Sequence, residues 1–249
     1  YFFLLTIFIV GIIDDKFNLS PNIKLLILAL IIITFLNLNN FYLLREIYIS
    51  SFNVSFNILS INFFITTLSI LLFINASNMF DGIDGQSGIY FLTIFTFLSL
   101  ITGFNAENLI IILSIFLFLI LNLKKKIFLG DSGVFFLSTL FSLLVIENYQ
   151  INKISAEQIF LLMMLPGVDM LRLFLERILK KKSPFKGDRN HLHHLLLKNN
   201  SQRLVLIKLF SLIIIPNFFA YFLDEYLIFI VLTLLVYLLT IFKFRSSNE

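Results

Sequence analysis

Nine apolar runs, near 1–13, 23–39, 61–76, 87–104, 108–123, 132–147, 157–175, 204–222 and 226–243, leave little room for anything else in the chain. Most approach the roughly 20 mainly apolar residues that a helix needs to cross a bilayer. Only 14% of residues are charged and mean hydropathy is +0.96, whereas a soluble domain carries about 25% charged residues. Exposed to water, this much Phe, Ile and Leu would aggregate, so the runs must face lipid. The expected fold is an all-α polytopic membrane protein of about nine spans. The chain starts with Tyr inside an apolar run, which reads as a truncated span whose N-terminal neighbours are missing, rather than a signal peptide. With neither an internal repeat nor a Gly/Ser linker, residues 1–249 read as one integral domain. Segment 40–60, `NFYLLREIYISSFNVSFNIL`, alternates polar and apolar residues and is rich in β-formers, which predicts a small periplasmic β-hairpin.

Threading the runs alternately through a membrane puts 14–22, 77–86, 124–131, 176–203 and 244–249 on one side. Segments 40–60, 105–107, 148–156 and 223–225 fall on the other. Of the 19 Lys and Arg residues, only Arg45 and Lys153 then fall on the second side. An excess of Lys and Arg marks the cytoplasmic face, so the first side is expected to be cytosolic and the membrane the inner (plasma) membrane.

Four polar clusters, `GIIDDKFNLS` (11–20), `NASNMFDGIDGQSG` (75–88), `FLGDSG` (128–133) and `SPFKGDRNHLHH` (183–194), all land on that face. Acidic groups at membrane depth are costly and usually functional. Asp14, Asp15, Asp81, Asp84 and Asp131 would repel one another unless a cation joined them. Oxygen donors of this kind suit Mg²⁺, which is held by one or two carboxylates plus substrate phosphates; Mn²⁺ is the alternative ion. Taken singly, each Asp is also what a helix N-cap looks like, and each Asp-Gly pair is an ordinary turn. Glycines at loop-to-helix junctions equally let backbone N–H groups approach an anion.

All three histidines, His191, His193 and His194, lie within four positions, accompanied by Lys180, Lys181, Lys182, Lys186 and Arg189. Zinc is disfavoured, because cysteine is absent and two adjacent histidines cannot easily share one metal. A headgroup-binding loop accounts for the lysines; an anion-binding loop accounts for the lysines and histidines together. Asp169 and Arg172, in `PGVDMLR`, have the spacing to pair on one helix face, either as structural glue or facing a site.

Blocks `DDKFNLS`, `NASNMFDGIDG`, `FLGDSG`, `PGVDMLR` and `SPFKGDRNHLHH` resemble, in order and spacing, the signatures of the polyprenyl-phosphate N-acetylhexosamine-1-phosphate transferases. The H-x-H-H form is similar to the bacterial branch that uses UDP-GlcNAc and undecaprenyl phosphate. The resemblance implies transfer of a sugar-1-phosphate from a UDP-N-acetylhexosamine to the lipid phosphate, releasing UMP and initiating a cell-envelope glycan. It implies Mg²⁺ or lipid-phosphate activation at Asp14 and Asp15, and Mg²⁺ at Asn78 and Asp131; Asp14, Asp15 and Asp131 are the catalytic candidates. It further implies uracil at Asp84 and Phe128, ribose near Asp81, and the acceptor phosphate at Lys24. Arg189, His191, His193 and His194 match the loop, within 176–203, that closes on sugar and phosphate. The expected partners are the UDP-sugar, undecaprenyl phosphate and membrane lipids, not nucleic acid, with a homodimer left open. The chain departs from the family pattern at Asn18, where a third Asp is common, and at Leu28, where Gln is common. Another UDP-N-acetylamino sugar, a non-catalytic lipid-phosphate-binding relative and a transporter are the alternatives.

Overall fold

The structure is a computed structural model that describes residues 2–183 and 190–246. Arg189, one of the expected site residues, lies outside the described residues. Among the described residues ten α-helices and one hairpin follow in order: α1 Phe2–Phe17, α2 Pro21–Leu38, β1 Glu46–Ile49, β2 Val54–Asn57, α3 Asn62–Phe80, α4 Gln86–Thr102, α5 Ala106–Leu123, α6 Gly130–Gln150, α7 Ala156–Leu179, α8 Leu192–Leu197, α9 Gln202–Leu223 and α10 Tyr226–Ser246. Every apolar run has become one long helix. Seven of these helices are long and apolar enough to cross a membrane, and α1 and α4 are shorter. The protein is an all-α, multi-pass membrane protein.

Helices α1, α3 and α4 pack against α6, and α7 lies against α3, α9 and α10. One apolar core draws Phe91, Ile94, Phe141, Leu162, Leu192 and Leu209 from five helices. A second, built on Ile7, Leu28, Ile32, Leu36, Ile74 and Phe135, joins α1 and α2 to α3 and α6. Leu28, at the position where the family commonly has Gln, is therefore a core residue, 1% exposed. Helices α2, α5 and α10 bury little within the protein and show most of their Leu, Ile and Phe outward, as helices that face lipid do.

The hairpin forms within the expected segment. Its strands pair antiparallel with Glu46 opposite Asn57 and Ile49 opposite Val54. A tight turn at Ser50–Phe52 joins them, and Asn53 takes up the left-handed conformation (φ 50°) that asparagine tolerates better than most residues. Tyr149 ties the hairpin to α6: its hydroxyl accepts from Tyr48 N at 2.8 Å and donates to Glu46 O at 3.2 Å. A polar cleft of about 1040 Å³ opens here, lined among others by Arg45, Tyr48, Tyr149, Lys153 and Glu225.

Several helices outrun the hydropathy that announced them. Helix α1 continues to Phe17 and takes Asp14 and Asp15 into its last turns; α3 continues to Phe80 and carries Asn75 and Asn78. Hydropathy reports where a side chain meets lipid, whereas a helix ends where its backbone hydrogen bonds end. Asn18 terminates α1 in the left-handed conformation (φ 50°), its N–H donating to Asp14 O at 2.8 Å. That is a cap asparagine fills well. The contact between α1 and α6 is close enough that a Cβ on Gly11 would overlap the backbone of Ser132.

This last observation predicts that Gly11→Ala lowers stability by about 1–3 kcal/mol, the usual cost of overpacking. Thermal unfolding of the detergent-solubilised protein reads it. An unchanged midpoint would mean that α1 and α6 do not meet at this point.

Candidate active site

Three of the four polar clusters, with residues 190–194 of the fourth, converge at the end of the bundle opposite the hairpin. Lys24, in the first turn of α2, places its ammonium between two carboxylates from different helices. It pairs with Asp14 Oδ2 of α1 and lies 2.8 Å from Asp131 Oδ2 of α6. Asp14 is buried, 3% exposed, and its other oxygen accepts from Leu19 N at 2.8 Å. Asp131 keeps 30% of its side chain exposed.

Asp15, the neighbour of Asp14, works on a different target. Its two oxygens accept from the backbone amides of Asp131 (2.8 Å) and Ser132 (3.2 Å). Those are first-turn amides of α6, which no intrahelical carbonyl can satisfy, and the helix end there carries partial positive charge. Asp15 therefore caps α6 from another helix. Gly130 permits this, having φ +67° and no Cβ to collide with the Asp15 carboxylate.

The `DGIDG` segment links α3 to α4. Asp81 is open to the surface but crowded by protein. Burial pushes its pKa up, assisted by the negative charges of Asp84 and Asp15 and opposed by the nearby Ser87 hydroxyl. Asp84 is half-buried, and its carbonyl accepts from Gln202 Nε2 of α9 at 3.1 Å. Gly85 N donates to Asn122 Oδ1 at 2.7 Å, and Asn122 Nδ2 donates in turn to Ile127 O at 2.9 Å. One buried amide side chain thus clamps this loop to the α5–α6 loop that carries Phe128. Phe128 itself projects outward, 78% exposed. Asn78 lies half-buried in the last turn of α3.

The histidines complete the site. His193 is 2% exposed and lies so close to Gly82 that any Cβ there would overlap its imidazole. Its Nδ1 is 3.5 Å from Gln86 Nε2. The ring is stacked on His191 at 5.5 Å between centroids and tilted against His194 at 4.2 Å. His193 Nε2 and Gln86 Oε1 are buried polar atoms that no described residue hydrogen-bonds, a condition that a ligand or an ordered water usually relieves. Burial, with His194 and His191 alongside, depresses the His193 pKa to about 3, only partly opposed by Asp169.

Asp169 and Arg172 resolve as a pair that reaches further than one helix face. Arg172 Nη2 lies 2.8 Å from Asp169 Oδ1, and Tyr237 of α10 bonds both partners. Asp169 Oδ2 faces His191 Nδ1 at 3.4 Å.

The structure thus brings together Asp14, Asp15, Lys24 and Asp131 in one group. It joins the Asp81–Asp84 loop to His193 in another, with Asp81 close enough to Asp15 to feel its charge. Sequence reasoning missed Asn122 and Tyr237, which sit in strongly apolar helices that carry other polar residues as well, so nothing in the sequence set them apart.

Among the described residues, no three His, Asp or Glu side chains form a ready metal cage. The donor set nevertheless suits Mg²⁺. The oxygens are hard, Asp131 is part-exposed, and the ion pairs made to Asp14 and Asp131 by described residues come from a single ammonium. Mg²⁺ asks for only one or two carboxylates when phosphates and waters fill its shell.

These features match one known class of membrane protein. The family model for glycosyl transferase family 4 matches residues 1–148, and the chain belongs to that family. It is 29% identical to the undecaprenyl-phosphate alpha-N-acetylglucosaminyl 1-phosphate transferase of Escherichia coli O157:H7, over 92% of this chain and 68% of the relative. The enzymes of the same name from Escherichia coli K12 and Haemophilus influenzae are each 29% identical, over 80% of this chain and 59% and 60% of their own lengths. The chain therefore spans about three-fifths to two-thirds of the curated relatives it matches.

Two outcomes follow from the geometry. Lys24→Met should destabilise the protein by about 3 kcal/mol or more, because it strands a buried carboxylate. Adding Asp14→Asn should recover part of that loss in a double-mutant cycle, and strict additivity would mean that the two groups do not interact. For His193, the native pKa lies below the ordinary 6.5, so the undocked form binds more protons. Docking of the histidine segment is then fully stable above pH 6.5 and weakens as pH falls from there toward about 3, by up to about 1.4 kcal/mol per unit. Amide exchange of residues 191–197 at pH 7 and pH 5 checks this, and His193→Gln should flatten the dependence.

Proposed function

We propose that the protein transfers GlcNAc-1-phosphate from UDP-GlcNAc to undecaprenyl phosphate, giving undecaprenyl-diphosphate-GlcNAc and UMP. The observation that carries this reading is the meeting, at one end of the bundle, of a carboxylate group centred on Lys24 with a histidine segment packed on the Asp81–Asp84 loop. Membership of glycosyl transferase family 4 and the names of the relatives support it.

Both substrates are anions, so the reaction needs charge compensation and alignment more than covalent chemistry. An oxygen of the lipid phosphate attacks the β-phosphorus of the donor. The bond from that phosphorus to the bridging oxygen breaks, and UMP leaves with the electron pair. Lys24 offsets the charge of the acceptor phosphate, and Asp14 holds that ammonium in place. Asp15 fixes the start of α6 and with it the backbone that presents Asp131. The unpaired His193 Nε2 and Gln86 Oε1 offer the polar edges against which a donor can be oriented.

Mg²⁺ belongs to the same reading. Asp131 and Asn78 would hold it, with Asp14 and Asp15 nearby, and it would supply a positive centre for the diphosphate oxygens. Asp84 and Phe128 would take the uracil, Asp81 the ribose, and Arg189 with His191 and His194 the sugar and phosphate. The site would face the cytosol, where UDP-sugars are made, as the Lys and Arg distribution indicates.

The test uses membranes holding the full-length protein, with undecaprenyl phosphate, Mg²⁺ and a panel of UDP-sugars. UMP release and a lipid-linked GlcNAc product, both abolished by EDTA, are expected. Asp131→Asn should lower the rate by at least about 100-fold, the scale seen when one preorganised electrostatic group is removed. Product from a different UDP-N-acetylamino sugar alone would keep the reaction and change the donor. Absence of turnover with every donor would overturn the assignment.

A further inference from the structure

A histidine segment that orders a nucleotide sugar must itself be held at a fixed angle, and side chains of α7 and α10 supply the means of holding it. Tyr237 is the main one. It stands on α10, 1% exposed, in a helix built mainly from Leu, Ile, Val and Phe. Its hydroxyl donates to Asp169 Oδ1 at 2.8 Å and accepts from Arg172 Nε at 2.7 Å. Donor and acceptor capacity are both used, so the phenol fixes the carboxylate and the guanidinium together.

Those two groups in turn grip the backbone on either side of His191. Arg172 Nη2 donates to the carbonyl of Asn190 at 2.7 Å, and Leu192 N donates to Asp169 Oδ2 at 3.3 Å. The same carboxylate oxygen faces His191 Nδ1 at 3.4 Å, which leaves Nε2 as the ring nitrogen turned away from α7. Glu176 Oε1, 2.7 Å from Arg172 Nη1, completes the guanidinium's partners on α7. Asp169 is 3% exposed. Charged groups buried this deeply add little net stability compared with apolar packing, and their best-attested use is to fix register.

We propose that Tyr237 is a positioning residue for the nucleotide-sugar site. Through Asp169 and Arg172 it sets the angle at which His191 and the stacked His193 are presented. This rests on the reading above, in which the histidine segment contacts the donor. Tyr237 touches no reacting atom, and its effect falls on the donor rather than on the lipid acceptor, whose expected partner Lys24 belongs to the other ion-pair group.

Tyr237→Phe keeps the ring and removes only the hydroxyl. In the full-length protein in nanodiscs, amide exchange at Leu192 and the rest of α8 should accelerate at least tenfold, with α10 and the first turns of α7 unchanged. In turnover, kcat/KM for the UDP-sugar should fall at least tenfold, with KM for undecaprenyl phosphate within twofold of wild type. Asp169→Asn, which keeps the shape and loses the charge, should loosen the same segment.

Unchanged exchange at α8 in both variants would overturn the proposal. So would acceleration spread equally over α7, α8 and α10, which would make the network simple glue between helices. An equal rise in KM for both substrates would also remove the assignment to the donor side. Because exchange needs no turnover, failure of the wild-type protein to use any UDP-sugar would defeat the functional reading while the exchange result still decides the role of Tyr237.

Discussion

The ammonium of Lys24 contacts a carboxylate from α1 and another from α6 while riding on α2, so one charge ties three helices together at the same end. In lipid the hydrophobic effect gives helices no reason to prefer one another over acyl chains, and their relative position rests on close packing and polar ties. Here the two work on one contact. The absent side chain of Gly11 lets α1 approach α6, and the approach delivers Asp15 to the first amides of α6. Remove the ion pair and the packing no longer defines where Asp131 points.

A second tie of the same kind stands on α7 and α10. Asp169 serves there as Asp14 does in the first, a buried carboxylate with a cationic partner and a backbone amide on its other oxygen. Between the two ties runs the Asp81–Asp84 loop, held by Asn122 through Gly85 and pressed by His193 at Gly82. Each half of the site is therefore fixed by a buried charge, near the end of α1 in one and in the interior of α7 in the other, and the loop between them is fixed by neutral groups. The arrangement leaves Asp15, Asp81 and Phe128 exposed and Asp131 part-exposed. These are the groups that solvent, and any soluble ligand, could reach.

Much of this was legible in the chain. The apolar runs gave the helices because lipid imposes a length and a composition on any span. The alternating 40–60 segment gave the hairpin because a strand exposes every second residue. Clustered Asp, Gly and His residues marked the site because such groups are costly near lipid. What sequence could not convey was partnership. Asp14 and Asp15 look alike and are adjacent, yet one holds Lys24 and the other caps α6. Tyr237 reads as one more aromatic residue in a lipid-facing helix until α7 is placed beside it. The ends of α1 and α3 were also set too early, since hydropathy stops at the first polar residue and the backbone does not.

Asn18 and Leu28, the two departures from the family pattern, bear on what the site can tolerate. Asn18 has taken a conformational role at the end of α1, which Asp could also fill with little strain. Its loss of charge matters less because Asp14 and Asp131 already share one ammonium, and another carboxylate nearby would add repulsion without adding a cation. Leu28 lies one helical turn beyond Lys24 on the same helix and is buried among Ile32, Ile7 and Phe135. Phe135, from the same apolar cluster, lies with its ring 5.4 Å from the Lys24 ammonium, so the surroundings on that side are apolar. With neither a third acid nor a glutamine beside it, the Lys24 ammonium relies on Asp14 and Asp131, which makes those two carboxylates more important to this chain than they would be in the common family pattern.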